Sequence, residues 1–225
     1  MRYGGIVLIL ISLLFIFAAC GGSSTDSGYE PDETTTYLLT FKSTWSAQTH
    51  PLDFPSAPHF SGLVGAVHNE MVVLWKEGSI SSDGVKDVAE KGSKTQFSNE
   101  VDPIIISGEA YVKMSGSGIT VSPGTATLRF TAHRDLHFIT VISMLAPSPD
   151  WFVGVSGMNL FENDDWIIEK TVDLYVYDAG TDSGKTYTAA DQPTEPRAPI
   201  GKITDYAFSV SGKVTPVATF TFKRL

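Results

Sequence analysis

Short segments with β-strand character recur along most of the chain. Apolar residues alternate over residues 37–43, and similar segments follow at 110–114, 125–131, 138–145, 152–155, 167–176, 203–210 and 217–223. Clusters of Gly, Pro, Ser and Asp separate them, as in Ser115-Gly116-Ser117-Gly118. Because short strands bury their apolar faces only against other strands when helices are scarce, this pattern predicts an all-β fold, an antiparallel β-sandwich or barrel.

The region between residues 60 and 106 is less regular. Apolar runs predict two short strands, around 63–67 and 71–75, and Ile104-Ile105-Ile106 predicts another. Residues 82–91 are the one segment with helical spacing. Ser82 or Asp83 can cap this helix, and Gly92 ends it. The prediction is therefore a β-sandwich with one short helix.

The first 19 residues have the pattern of a secretory signal. A positive Arg2 precedes an apolar run over residues 6–17, and two alanines lead to Cys20. This arrangement resembles the lipobox of bacterial lipoproteins, in which Cys20 carries the lipid. An ordinary cleaved signal and a short uncleaved anchor are the alternatives. Residues 20–36 are polar, rich in glycine and acidic, which predicts a flexible tether. One domain, over residues 37–225, follows.

Charge and cysteine usage restrict the partners. Removal of the signal removes Arg2, which leaves 15 Lys and Arg against 25 Asp and Glu. This acidic balance argues against nucleic acid and against electrostatic adhesion to anionic lipid. Membrane attachment is therefore expected through the lipid on Cys20. Gly21, rather than Asp, follows Cys20, which favours the outer membrane or the cell surface. Cys20 is the only cysteine, so the domain has no disulfide.

Two loops carry aspartates in turn-forming contexts. Asp150 follows Pro147-Ser148-Pro149, and Asp178 and Asp182 flank Ala179-Gly180-Thr181. Neither segment contains Lys or Arg up to Gly184. Clustered carboxylates on loops are what Ca²⁺ requires, so Asp150, Asp178 and Asp182 form a candidate cation site. Alternatively, each aspartate is a turn former whose side chain accepts hydrogen bonds from its own backbone.

Other polar clusters give weaker signals. In a strand, His133 and His137 would lie about 13 Å apart, too far for one metal site. Glu162, Asp164 and Asp165 could be paired catalytic carboxylates, but an exposed hairpin turn is the simpler interpretation. No Ser lies in a Gly-x-Ser-x-Gly motif, and no other signature indicates an enzyme. The prominent indoles can stack on sugars or fill a core, and the core is favoured: Trp45, Trp75, Trp151 and Trp166.

Several blocks together resemble the spondin domain. They begin with Trp45-Ser46, His50-Pro51, Phe54-Pro55 and His59-Phe60-Ser61, and continue with residues 63–69, Leu74-Trp75 and the helix near 84–92. The most specific blocks are Pro147-Ser148-Pro149-Asp150-Trp151-Phe152-Val153-Gly154 and Tyr177-Asp178-Ala179-Gly180-Thr181-Asp182-Ser183-Gly184. The resemblance extends over residues 37–203.

Spondin domains are extracellular β-sandwiches similar in architecture to C2 domains, and they bind one Ca²⁺ through loop aspartates. The resemblance therefore implies Asp150, Asp178 and Asp182 as the Ca²⁺ ligands of a lipid-anchored module with a binding or adhesion role. Extracellular matrix, a glycan or an envelope protein is the implied partner class. This chain lacks the cysteines between the two loops and the thrombospondin-type repeats of animal spondins. A calcium-dependent envelope hydrolase and a purely structural lipoprotein remain the alternatives.

Overall fold

The structure is a computed structural model that describes Met1 and residues 33–225. The predicted signal, Cys20 and most of the predicted tether lie outside the described residues. Residues 33–225 fall within one compact unit, Pro31–Leu225. No helix in the described part of the chain is both long and apolar enough to cross a membrane.

Strands dominate the described chain and are joined by short loops. The strands are β1 (Thr34–Ser43), β2 (His59–Phe60), β3 (Val64–His68), β4 (Ala110–Ser115), β5 (Gly124–His133), β6 (Phe138–Ala146), β7 (Trp151–Asn159), β8 (Phe161–Glu162), β9 (Asp165–Trp166), β10 (Glu169–Leu174), β11 (Tyr177–Asp178), β12 (Gly201–Lys202), β13 (Ser209–Val210), β14 (Lys213–Val214) and β15 (Ala218–Arg224). The helices are α1 (Asp83–Lys91), α2 (Thr95–Ile106) and a 3₁₀ turn at Tyr206–Phe208.

Two antiparallel sheets form the sandwich. One has the strand order β10-β15-β1-β5, and the other has β12-β11-β7-β6-β3-β4, with β2 added to β6. The hairpins β8-β9 and β13-β14 are separate. The chain passes from β10 in the first sheet to β11 in the second within a few residues, so strands 10 and 11 connect the sheets. The predicted all-β, antiparallel sandwich is confirmed.

The main core lies between the sheets. Inward-facing residues of β1 are fully buried at Tyr37, Leu39 and Phe41, in keeping with the alternation in the sequence. The four prominent tryptophans are buried, as the core interpretation expects: Trp45, Trp75, Trp151 and Trp166. A second apolar cluster covers the outer face of the larger sheet, where both helices pack. These two layers bury the apolar sequence without any disulfide.

Most strand predictions are confirmed, and some extend further than expected. β1 begins at Thr34 rather than Tyr37, and the N–H of Arg134 donates to the Glu33 carbonyl at 2.7 Å. Residues 34–36, assigned to the tether from the sequence, therefore belong to the sheet. β7 continues to Asn159, beyond the predicted end at 155.

The prediction of a single helix is wrong, because α2 follows α1 directly. Ile104-Ile105-Ile106, predicted as a strand, is the last turn of α2. The N-cap of α2 is Lys94, which makes no side-chain capping bond. No capping side chain therefore marks the start of this helix, and a β-branched run at its end favours the wrong assignment. In contrast, α1 has the predicted caps, Ser82 and Gly92.

Two further strand predictions are wrong. The Asn69 side chain accepts hydrogen bonds from Met71 N (3.0 Å) and Val72 N (3.2 Å), which turns residues 71–75 away from the sheet. Residues 203–210 contain the 3₁₀ turn, and only short strands flank it. In both segments, local turns outweigh the β-propensity of the side chains.

Candidate metal centre

The candidate site lies at the end of the larger sheet where β6, β7 and β11 meet. β6 ends at Ala146, and Ser148 shapes the turn into β7 by donating to the Leu145 carbonyl at 2.6 Å and accepting from Trp151 N at 3.1 Å. Asp178 pairs with Trp151 in the β7–β11 ladder. This register brings Asp178 beside Asp150, although 27 residues separate them in the printed sequence.

Asp150 is completely buried, and its two carboxylate oxygens differ in their hydrogen bonding. Its Oδ2 accepts hydrogen bonds from Thr181 N at 2.7 Å, Asp182 N at 3.0 Å and Thr181 Oγ1 at 3.2 Å. Its Oδ1 is buried and has no hydrogen-bond partner in the described structure. A buried, unpartnered carboxylate oxygen is costly, so the site lacks something that this oxygen should contact.

The neighbouring carboxylates make this cost larger. Burial, together with a smaller contribution from the Asp178 charge, raises the pKa of Asp150 to about 6, against the lowering effect of the Thr181 and Asp182 N–H groups. Burial also raises the pKa of Asp178, with a contribution from Asp182. No Lys or Arg in residues 33–225 forms an ion pair with any of the three. The site thus concentrates negative charge that no ion pair within residues 33–225 neutralises.

Asp178 and Asp182 also form turns, as the alternative interpretation expects. Asp178 Oδ1 accepts from Gly180 N at 2.7 Å. Asp182 Oδ1 accepts from Gly184 N at 2.7 Å, and its Oδ2 accepts from Gln192 N at 2.7 Å, which ties the turn to the proline-rich loop. Turn formation and cation binding are compatible, since a carboxylate oxygen has more than one lone pair.

Asp150 and Asp178 fit a cation better than Asp182 does. Within residues 33–225, no group of three or more His, Cys, Asp or Glu side chains is placed to hold a metal ion on its own. Ca²⁺, however, takes six to eight oxygens and fills its sphere with backbone carbonyls and water. The Asp150 Oδ1, which has no hydrogen-bond partner among the described residues, and the adjacent Asp178 carboxylate are therefore the candidate side-chain ligands. Asp182, whose two oxygens each accept a backbone N–H, is the weakest of the three predicted ligands.

An open cavity of about 680 Å³ adjoins the site. Asp178 and Trp151 line it on one side, and Lys185, Lys202 and Tyr206 line it elsewhere. Sequence reasoning missed this cavity, because its lining comes from four segments that are separate in sequence. It also missed Thr181, whose N–H and hydroxyl both bind Asp150; the position of Thr181 between Gly180 and Asp182 was the only local signal.

The remaining polar candidates lie elsewhere. His133 Nε2 lies 3.0 Å from Glu33 Oε1, whereas His137 Nδ1 contacts the Arg134 carbonyl, so the two rings have separate partners. Glu162 and Asp165 lie in the β8–β9 hairpin, as predicted, where each forms a partly exposed ion pair, with Lys170 and Arg224 respectively. The structure brings none of these groups to the metal site.

One known protein family matches both the strands and the aspartate loops of this chain. A family model described as Spondin_N matches residues 35–211, which include β1, both aspartate loops and the 3₁₀ turn. The chain belongs to the spondin N-terminal domain family. The resemblance noted from the loop motifs is thereby confirmed.

Spondins of several vertebrates are similar to this chain. Spondin-1 of Rattus norvegicus is 35% identical over 208 residues, and that of Gallus gallus is 37% identical over 180 residues. Spondin-2 of Homo sapiens is 30% identical over 196 residues. These matches cover 85%, 76% and 84% of this chain but 25%, 22% and 57% of the respective relatives. The chain therefore corresponds to one part of those proteins.

Proposed function

We propose that this protein is an extracytoplasmic, calcium-binding spondin module, anchored by lipid on Cys20, with a binding or adhesion role and no catalytic activity. The buried, unpartnered Oδ1 of Asp150 is the observation that carries the calcium assignment. A divalent cation there satisfies this oxygen and cancels the repulsion between Asp150 and Asp178. Family membership supports the extracytoplasmic binding role, and the Cys20 motif supports the anchor.

The calcium ion has a structural role in this proposal. Asp150 and Asp178 hold it from two neighbouring loops, and Asp182 fixes the second loop to Gln192. The ion thereby rigidifies the rim of the cavity beside Asp178. We propose this cavity as the contact site for a matrix, glycan or envelope-protein partner, since Asp178 belongs both to the candidate cation site and to the cavity lining.

Thermal unfolding with and without calcium tests the metal site. Extracellular sites bind Ca²⁺ with a Kd of roughly 10⁻⁴ to 10⁻³ M. At ten times Kd, the ion stabilises the folded state by about 1.4 kcal/mol, which raises the Tm by roughly 3–6 °C in a domain of this size. We expect a saturable rise between EDTA and 10 mM CaCl₂, and Asp178→Ala should abolish it.

Asp135→Ala is the matched control. Asp135 precedes β6, whereas the metal site follows it, so the control carboxylate lies at the opposite end of that strand, and its side chain is 83% exposed. This variant should retain the full calcium response. A flat response in the unaltered protein would show that the aspartates are turn formers only. The anchor is tested separately, because Cys20→Ser should abolish incorporation of labelled palmitate.

A further inference from the structure

The strand β7 has an unpaired edge. It pairs with β6 along its length, but on its other side β11 pairs only with Trp151 and Phe152. Beyond Phe152, no strand within residues 33–225 continues that second pairing. The strand is also accessible there, since Ser156 and Gly157 are exposed. Backbone N–H and C=O groups on this side of β7 are therefore open to another chain.

This edge forms the floor of a groove of about 620 Å³. The groove exists because the chain leaves the first sheet after β10 and joins the second at β11, so the two sheet edges separate. Val172 and Asp173 of β10 line one side, and the segment from Val72 to Glu77 lines the other. β10 is itself the edge strand of its sheet. An extended segment in this groove would lie between two strand edges.

The usable length of the edge is short and well defined. Gly157 has φ +60° and its N–H donates to Thr140 Oγ1 at 2.9 Å, so the regular strand is interrupted there. The regular free edge is therefore residues 154–156, because Val153 is fully buried. Ser156 Oγ donates to the Trp75 carbonyl, which holds the groove wall against the strand. Main-chain pairing along this short edge is supported by side-chain contacts in the groove.

The groove has an apolar wall and an acidic rim. Val73 lines it, and 63% of its surface is exposed and thus available to an apolar side chain of a partner. Glu70, Glu77 and Asp173 also line it, against a single Lys76. None of these three acids forms an ion pair with another residue of the described chain. The excess negative charge favours a partner that carries Lys or Arg.

We propose that this groove binds an extended segment of a partner protein that contains Lys or Arg, and that the segment adds as a strand to β7 at residues 154–156. Successive side chains of a strand point in opposite directions. Apolar, β-branched side chains at alternate positions would therefore contact Val73 and Val172, while the basic side chains reach Glu70 and Asp173. The proposal is independent of calcium.

The test is a selection of random seven-residue peptides on the purified full-length chain. We expect the selected peptides to alternate β-branched and polar residues and to be enriched in Lys or Arg. Binding should weaken at least tenfold in Glu70→Lys/Asp173→Lys, where both substituted side chains are exposed. It should be unchanged in Asp102→Lys, a half-exposed acidic residue on α2 outside the groove.

Two further measurements identify the binding mode. N-methylation of alternate peptide nitrogens should abolish binding, because it removes backbone donors but keeps the side chains. Bound peptide should also slow amide hydrogen exchange within residues 154–156. Peptides with helical spacing, equal binding to the doubly substituted variant, or a selection without enrichment would each overturn the proposal. The proposal would also be overturned if the protein self-associated in sedimentation experiments and the Glu70→Lys/Asp173→Lys variant did not. The occupant of the groove would then be a second copy of this chain.

Discussion

Removing the charge of Asp150 should change how stability depends on pH in calcium-free solution. The carboxyl group is completely buried, and its pKa is about 6 in the folded protein against 3.8 for an ordinary aspartate. The unfolded chain therefore ionises this group at lower pH than the folded chain does. Asp150→Asn eliminates that titration. The Asn side-chain oxygen can still accept from the N–H groups of Thr181 and Asp182, so the loop connection remains.

The size of the effect follows from the shift in pKa. The pKa of Asp150 differs by about two pH units between the unfolded and the folded protein. At about 1.4 kcal/mol per pH unit, this difference corresponds to about 3 kcal/mol of unfolding free energy. Because the folded-state pKa is raised, the group has no effect below about pH 4. Its ionisation then destabilises the fold progressively up to about pH 6, and the full cost persists above that. Calcium should offset this cost in the unaltered protein.

Two buried histidines change stability in the opposite direction. Burial lowers the pKa of both His50 and His68, so their contribution to stability is lost as the pH falls below about 6.5. For this reason the informative quantity is the difference in unfolding free energy between Asp150→Asn and the unaltered protein. Between pH 4 and pH 7, we expect the unfolding free energy of Asp150→Asn to increase by about 3 kcal/mol relative to that of the unaltered protein.

Urea denaturation at several pH values, in buffer stripped of divalent cations, measures this difference. Asp135→Asn, which removes a carboxylate at an exposed position, is the matched control and should not reproduce the change of about 3 kcal/mol. A constant offset for Asp150→Asn would refute the reasoning, since it would mean that Asp150 ionises normally in the folded protein. A change in the opposite direction would mean that Asp150 has a cationic partner.

Two local features give further predictions. Gly180→Ala should destabilise the protein by at least about 1–2 kcal/mol and weaken the calcium response, because φ is +73° and the new methyl group would lie 2.0 Å from the Ala198 carbonyl oxygen. Thermal melts with and without calcium measure both effects. Gly78→Ala is the control for backbone strain alone, since Gly78 has φ +85° but no close neighbour among the described residues. Ser82→Ala should lower the free energy of unfolding by about 1 kcal/mol, since Ser82 Oγ caps α1 by accepting from Val85 N at 3.2 Å. Urea denaturation measures this loss, and an unchanged midpoint would show that the cap contributes nothing to stability.

Local patterns determined much of the fold. The alternation in β1 is visible in the sequence because one face of the strand packs in the core and the other does not, and period-two alternation follows from strand geometry. The caps of α1 are likewise local, since Ser82 and Gly92 act within one turn of the helix. α2 was missed because tertiary packing of Phe97 and Val101, rather than a cap, stabilises it.

For the candidate metal site, too, some features follow from the sequence and others follow only from the tertiary structure. The sequence by itself placed Asp150, Asp178 and Asp182 on loops, because proline and glycine restrict the local backbone wherever they occur. Only the tertiary structure distinguished their environments: strand register sets Asp178 beside Asp150 and leaves one oxygen of Asp150 buried without a partner. The open edge of β7 also depends on tertiary structure, since strand pairing joins residues distant in sequence. Burial and pairing are properties of the assembled sheets, and no local pattern encodes them.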